Sequence, residues 1–343
     1  MAHLLEVTDL NVWFTSPGRP DVHAVRGASL ALNSQERVGL VGESGCGKST
    51  TILAMMGLLP SSAVVSGQVL LDDKDILANG DQSMRPHRWR DLAMVFQGAM
   101  NAFNPVRRVS MQIADAIAVR RGLARRDARQ RAHELLEMVG IPRGRMDGYP
   151  HEFSGGMRQR AAIALALACE PRVLLADEPT TALDVMVQAQ IMELLQRLCH
   201  EQGLALILVS HDLPLVAQVC ERINVMYAGE VVEQGSVDQL YDQPRHPYTR
   251  LLLAATPDLD SEEELASIPG TPPRLDRPVV GCPFRPRCDQ AFDRCRHEPP
   301  LLKPVGQGQA AACHLNDHPA PPAAPDSGQD TKVEASGRTD GTA

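Results

Sequence analysis

Two short stretches carry the residue types that phosphate chemistry requires. Gly42-Glu-Ser-Gly-Cys-Gly-Lys-Ser-Thr50 fits the pattern G-x-x-x-x-G-K-[ST]. Its glycines let the backbone curl so that successive N–H groups face phosphate oxygens, and a helix starting there adds the positive end of its dipole. The candidate binding residues are Gly42, Ser44, Gly45, Cys46, Gly47, Lys48, Ser49 and Thr50, with Lys48 reaching the β- and γ-phosphates and the Ser49 hydroxyl a ligand for Mg2+. Val173-Leu-Leu-Ala-Asp-Glu178 is an apolar run ending in two carboxylates. Asp177 is placed to hold Mg2+ through water, and Glu178 to polarise a water in line with the γ-phosphate. An acidic pair at a strand end is ordinary by itself; beside a phosphate loop it reads as a catalytic pair.

Three further stretches are informative only in company. Phe153-Ser-Gly-Gly-Met157 precedes an Ala-rich run, so Ser154, Gly155 and Gly156 can present a hydroxyl and N–H groups to phosphate at a helix start. Gln97 follows the apolar run Leu92–Phe96, and His211 follows Leu204–Val209. Taken singly these are a capped helix start, a loop glutamine and a surface histidine.

The elements that must position these groups follow from periodicity. Strands are expected at Leu4–Val7, Val12–Thr15, Ala28–Leu32, Val38–Val41, Val173–Ala176 and Leu204–Val209, and helices at Lys48–Leu59, Met111–Arg121, Ala128–Val139, Gly156–Cys169 and Val187–Leu198. Ser16–Pro20 reads as a turn, Pro60 ends the first helix and Gly203 the last. Strand, helix, strand in this order means βαβ units and a parallel sheet.

The chain has 343 residues, 43% hydrophobic and 22% charged, which is ordinary for a globular protein. Its formal charge of −8 argues against a surface that coats nucleic acid. No run of 18 apolar residues and no secretory leader is present, so the expectation is a chain that stays in the cytosol. From Asp317 onward there is no Leu, Ile, Met, Phe, Trp or Tyr, and residues 317–343 read as a disordered tail.

These motifs in this order resemble the ATP-binding cassette (ABC) ATPase family over residues 4 to about 235. The resemblance implies an α/β, P-loop (RecA-like) nucleotide-binding domain with an N-terminal antiparallel β-subdomain, an inserted helical subdomain and, here, a small Cys-rich C-terminal extension. The corresponding boundaries are 1–97 with 166–235 for the core, 98–165 for the helical part and 236–316 for the extension. It implies ATP and Mg2+ as cofactors, Glu178, His211 and Gln97 as catalytic residues, and Ser49, Gln97 and Asp177 around Mg2+. Thr181-Ala-Leu-Asp184 resembles the family's loop ending in Asp184. Phe14 resembles the aromatic that stacks on adenine, with Trp13 a competing choice. Two cassettes of this family close head to tail, so Ser154, Gly155 and Gly156 would serve the partner's nucleotide.

A narrower resemblance is to oligopeptide/dipeptide importer ATPases. It rests on Asn104-Pro105, His151–Arg160, Tyr227–Gly235, Arg245-His-Pro-Tyr-Thr249 and Gly281-Cys-Pro-Phe with Arg287-Cys288. This implies a peripheral subunit on the cytoplasmic face of the inner membrane. Its partners would be two permeases, a second and non-identical ATPase and an extracytoplasmic binding protein, with no nucleic acid. Gln97 and 98–165 would form the groove for a permease coupling helix. Nickel or another small solute is the alternative to peptides, and a non-transport ATPase or a metal-sensing module are the rival classes. Two departures stand out: Gln35 occupies a turn position where many cassettes have Gly, which strains it if φ is positive, and Phe153 replaces the commoner Leu.

Cys282, Cys288, Cys295 and Cys313 are spaced too widely for a usual zinc ribbon. The expectation is a [4Fe–4S] cluster on these four, with Arg285, Arg287, Arg294 and Arg296 offsetting its charge; Zn2+ or no metal are the alternatives, and His297 and His314 read as ordinary exposed histidines ahead of substitute ligands.

Overall fold

The computed structural model describes residues 3–98, 102–255 and 268–317. In chain order it runs through β1 (Leu5–Phe14), β2 (Val22–Leu32), β3 (Arg37–Val41), α1 (Lys48–Met55), β4 (Ala63–Leu71), β5 (Lys74–Asp75), α2 (Asp81–Met84) and β6 (Leu92–Val95). The helices α3 (Val109–Arg121), α4 (Arg125–Met138) and α5 (Gly155–Ala166) follow, then β7 (Val173–Asp177), α6 (Val185–Gln202), β8 (Ala205–Ser210), α7 (Leu213–Val219), β9 (Arg222–Tyr227) and β10 (Glu230–Ser236). The described residues end with α8 (Val237–Asp242), α9 (Pro247–Ala254), α10 (Arg294–His297), β11 (Lys303–Gly306) and β12 (Gln309–Ala311).

One sheet is antiparallel, in the order β2-β1-β4-β5. Sequence periodicity suggests two strands separated near Thr8–Asn11, but β1 is continuous. The register slips there, Asp9 takes φ 48°, and the Asn11 side chain donates to the Asp9 carbonyl at 2.9 Å. A bulge that satisfies its own polar groups mimics a loop in the hydropathy pattern.

The second sheet has the order β11-β12-β10-β9-β3-β8-β7-β6, with β9, β3, β8, β7 and β6 parallel. These central strands are buried on both faces, and their side chains alternate between two cores. Leu206 and Leu208 join one core and Ala205, Ile207 and Val209 the other; Leu174 and Ala176 oppose Val173 and Leu175 in the same way. Helix α1 ends at Met55, short of Leu59, because Gly57 turns left-handed at φ 58° and Arg88 donates to the Met56 and Gly57 carbonyls at 2.8 Å each. Gln35 does sit at φ 63°, so the turn between β2 and β3 carries strain that Gly would relieve.

The region after β10 docks back on the sheet by pairing β12 with β10 and through a buried polar knot. The Glu233 carboxylate, 0% exposed, accepts from Arg245 N (2.6 Å), His246 N (2.9 Å) and Gln309 Nε2 (3.0 Å). The His246 ring caps α9 by accepting from Tyr248 N at 3.0 Å. Asp317, expected to start the loose tail, is instead tied to Arg294, Lys303 and His314; the remainder of that stretch, 318–343, lies outside the described residues.

Burial pushes His246 down to about 3, with the Arg250 charge adding to it. The unfolded chain therefore takes up a proton below pH 6.5 that the folded chain refuses until about pH 3. The stability from this site is full above 6.5 and declines progressively as pH falls toward 3. Thermal unfolding between pH 7 and pH 5 is expected to lose more midpoint temperature in the wild type than in His246→Asn, which keeps an N-cap acceptor without the titration. Parallel curves for the two proteins would remove His246 from the account.

Candidate functional site

The motifs converge because the parallel strands end on one edge. The phosphate loop follows β3, Gln97 lies two residues past β6, Asp177 ends β7 with Glu178 just after it, and His211 follows β8. In an open parallel sheet the carboxyl ends of the strands are where ligands bind.

The loop's geometry depends on missing side chains at two places. A Cβ on Gly42 would lie 2.2 Å from the Met226 carbonyl oxygen, and one on Gly47, which has φ 109°, would lie 2.7 Å from the Ala24 carbonyl oxygen. Gly45 faces open space, and Ser44 and Gly45 are exposed. Gly47 caps α1 without a side chain, leaving the first-turn N–H groups of that helix free of side-chain caps. Lys48 is buried, and its Nζ donates to the Gly42 carbonyl (2.7 Å) and the Glu43 carbonyl (3.0 Å). An ammonium held by two loop carbonyls is positioned to exchange them for phosphate oxygens.

Ser49 Oγ donates to Asp177 Oδ1 at 2.9 Å, joining the two sequence stretches across 128 residues. Burial pushes the Asp177 carboxyl up, the Ser49 bond opposes this, the Glu178 charge adds to it and Lys48 opposes it. A hydroxyl beside a carboxylate is the hard-oxygen donor pair that suits Mg2+. Glu178 holds a backbone φ of 41°, a strained value for a residue with a side chain. Its Oε2 accepts from Gln97 Nε2 (2.9 Å) and Thr181 Oγ1 (2.9 Å), and its Oε1 lies 3.3 Å from His211 Nδ1. The Thr181 contact was not anticipated from sequence, since a threonine within a turn has no distinguishing spacing.

Ser154, Gly155 and Gly156 open α5, where Ser154 accepts from Met157 N at 3.3 Å. Ser154 and Gly155 are exposed. A Cβ on Gly156 would come within 2.7 Å of Val187 Cγ1, so that glycine lets α5 approach α6. Asp184 caps α6 by accepting from Val187 N at 3.0 Å. Phe14 packs at the edge of the core below α1, while Trp13 stacks on His23 with ring centroids 4.2 Å apart.

The metal expectation for the C-terminal cysteines is corrected. Cys282, Cys288, Cys295 and Cys313 do line one cavity, but it has a volume of only about 10 Å3. Among the described residues no group of three or more His, Cys, Asp or Glu is arranged to hold a metal ion. Burial pushes the Cys282 and Cys313 thiols up to about 11 and Cys288 upward as well. Two of the four arginines expected to balance a cluster have other partners: Arg294 pairs with Glu298 and Asp317, and Arg287 with Glu43. His314 Nε2 is engaged by the Glu298 carbonyl at 2.9 Å.

Residues 25–181 match the family model described as ABC transporter, and 232–295 match that of the oligopeptide/dipeptide transporter C-terminal region. The chain is 45% identical over 313 residues to the oligopeptide transport ATP-binding protein OppD of Salmonella typhimurium, covering 90% of this chain and 93% of that one. It is 46% identical over 316 residues to the dipeptide transport ATP-binding protein DppD of Escherichia coli, covering 91% and 96%. Among solved structures it resembles the ATP-binding cassette MJ0796, described as a dimer in a post-hydrolysis state bound to ADP and Pi, with a TM-score of 0.61 and 29% identity over 68% of this chain and 98% of that one. It also resembles cbiO1 of Clostridium perfringens, with a TM-score of 0.60 and 31% identity over 71% and 92%.

Proposed function

The chain belongs to the ATP-binding subunits of oligopeptide/dipeptide ABC transporters, and from that premise we propose how its residues convert ATP hydrolysis into peptide uptake. The observation that carries the reading is the joined carboxylate pair: Asp177 on Ser49 of the phosphate loop, and Glu178 ringed by Gln97, Thr181 and His211.

The backbone N–H groups of 45–50 receive the phosphate chain, and Lys48 shifts from its own loop carbonyls to the β- and γ-phosphates. Ser49 and Asp177, with Gln97 two residues past β6, are the groups that would hold Mg2+, which would supply positive charge against the phosphates. Glu178 accepts a proton from the attacking water. Thr181 and Gln97 orient its carboxylate, and His211 reads whether the γ-phosphate is present. Aromatic stacking on the base falls to Phe14 or Trp13.

The exposed Ser154-Gly155 pair lies at a helix start outside this loop, which supports its use on a partner's nucleotide in a head-to-tail pair of cassettes. Gln97 and the helical segment 98–165 form the surface for the permeases, of which the complex has two, with a second, different ATPase and an extracytoplasmic binding protein. Among the described residues no helix is long and apolar enough to cross a membrane, which suits a peripheral seat on the cytoplasmic face. The core, helical part and extension divide at 97/98, 165/166 and 235/236.

The test is reconstitution of this chain, with the membrane proteins that co-purify with it, in lipid vesicles. ATP-dependent accumulation of a labelled di- or oligopeptide is the expected result; ATP hydrolysis unaffected by any peptide and by the binding protein counts against the transport reading. In that complex Ser154→Asp is expected to stop hydrolysis at the partner's site through repulsion of phosphate, by about 100-fold or more. Nucleotide affinity of this chain alone should stay within about twofold, because Ser154 serves the other site. A weakened affinity in the isolated chain would reverse that assignment.

A further inference from the structure

Glu43, the second residue of the phosphate loop, is held on three sides. Its amide donates to the Tyr248 hydroxyl at 2.8 Å, and its carbonyl accepts from Lys48 at 3.0 Å. Its carboxylate receives both arms of Arg287, Nη1 to Oε2 at 2.6 Å and Nη2 to Oε1 at 2.9 Å, from 244 residues away. The Arg287 side chain is 3% exposed. Its Nε donates to the Pro269 carbonyl at 2.7 Å and its Nη1 to the Tyr227 hydroxyl at 3.3 Å, and the guanidinium lies 5.8 Å and 5.9 Å from the Tyr227 and Phe284 ring centroids. A two-pronged guanidinium–carboxylate contact fixes direction as well as distance.

We propose that Arg287 is a positioning residue for the phosphate loop: with Tyr248 it anchors Glu43, so that the glycine-rich turn beyond is already shaped when nucleotide arrives. The proposal rests on the reading of this loop as the ATP site. Ser44 and Gly45 are exposed and Gly45 has no neighbour a Cβ would touch, so the turn lacks packing of its own there. A glycine-rich loop ordered only by its ligand would charge the full loss of backbone entropy against binding. Anchoring one end through Glu43 removes part of that cost. The segment around Arg287 is thereby part of the nucleotide site's support, and its docking on the cassette sets nucleotide affinity.

The test uses the full-length chain and a fluorescent MgATP analogue. Glu43→Gln, Arg287→Gln, the double variant and Arg287→Lys are compared for affinity, melting temperature and hydrogen exchange of the nucleotide-free loop. Each Gln variant is expected to bind about tenfold more weakly, with the double variant no weaker than the worse single one, as for two residues acting through one contact. Arg287→Lys, which keeps the charge without the fork, falls between. Amides of 44–49 exchange faster in both Gln variants while those of β3 and β7 do not change. A merely structural role lowers the melting temperature and leaves loop exchange and affinity where they were. Should Arg287→Gln unfold its own segment, Glu43→Gln decides alone, because it keeps the arginine and one acceptor oxygen. Losses that multiply to about 100-fold in the double variant, or wild-type affinity and loop exchange in Glu43→Gln, overturn the proposal. A wild-type chain that does not bind MgATP overturns the nucleotide reading itself.

Discussion

Glu178→Gln is expected to lower ATP turnover at this chain's own site in the assembled transporter by about 1,000-fold, within the range a positioned general base supplies, while MgATP affinity stays within about threefold. The substitution conserves volume and leaves an amide oxygen to accept from Thr181 or Gln97, so the strained backbone at φ 41° keeps its support. What is lost is the ability to take a proton from water. Binding should survive because the contact between loop and strand runs through Ser49 and Asp177 and leaves Glu178 outside it. The measurements are phosphate release by the complex and equilibrium binding of a fluorescent ATP analogue by this chain. His211→Ala should act more weakly, since the imidazole is 62% exposed and meets Glu178 at 3.3 Å. Turnover near the wild-type rate in Glu178→Gln would falsify the general-base assignment and move the proton to another acceptor.

The phosphate loop was legible in sequence because its chemistry resides in the backbone. Gly42 and Gly47 are there to avoid clashes with Met226 and Ala24, and glycine is the one residue whose identity reports such a constraint directly. The buried parallel strands were legible for a related reason: when both faces are covered the run is continuously apolar, as in Leu204–Val209. The β1 bulge was not, because Asp9 and Asn11 satisfy each other locally and so look like a loop. Long-range polar pairing was least legible. Four arginines among four cysteines suggested charge compensation for a metal, yet Arg287 turns away to the phosphate loop. Spacing along the chain specifies which residues are near in sequence; it does not say which buried charge each one meets.

Glu233→Ala is the substitution expected to cost the fold most. Removing the carboxylate strips acceptors from two backbone amides, Arg245 N and His246 N, and from the Gln309 side chain; Glu233, His246 and Gln309 are buried and Arg245 is half-buried. Each buried donor left unpaired costs about 1–3 kcal/mol, so even partial relaxation leaves a loss of roughly 3 kcal/mol, before any cavity term. Glu233→Gln keeps one acceptor oxygen and should lose about half as much. The same change loosens the docking of β12 on β10 and the cap of α9, whose Tyr248 holds the Glu43 amide. Chemical unfolding should therefore show a lower midpoint, and limited proteolysis should cut after β10 before it cuts the sheet. If Glu233→Ala unfolds with the wild-type midpoint, the knot does not carry the docking. If the midpoint falls but the loop keeps its nucleotide affinity, the extension is held by Glu233 and the loop by Arg287 separately, and the two contacts are independent supports of one site.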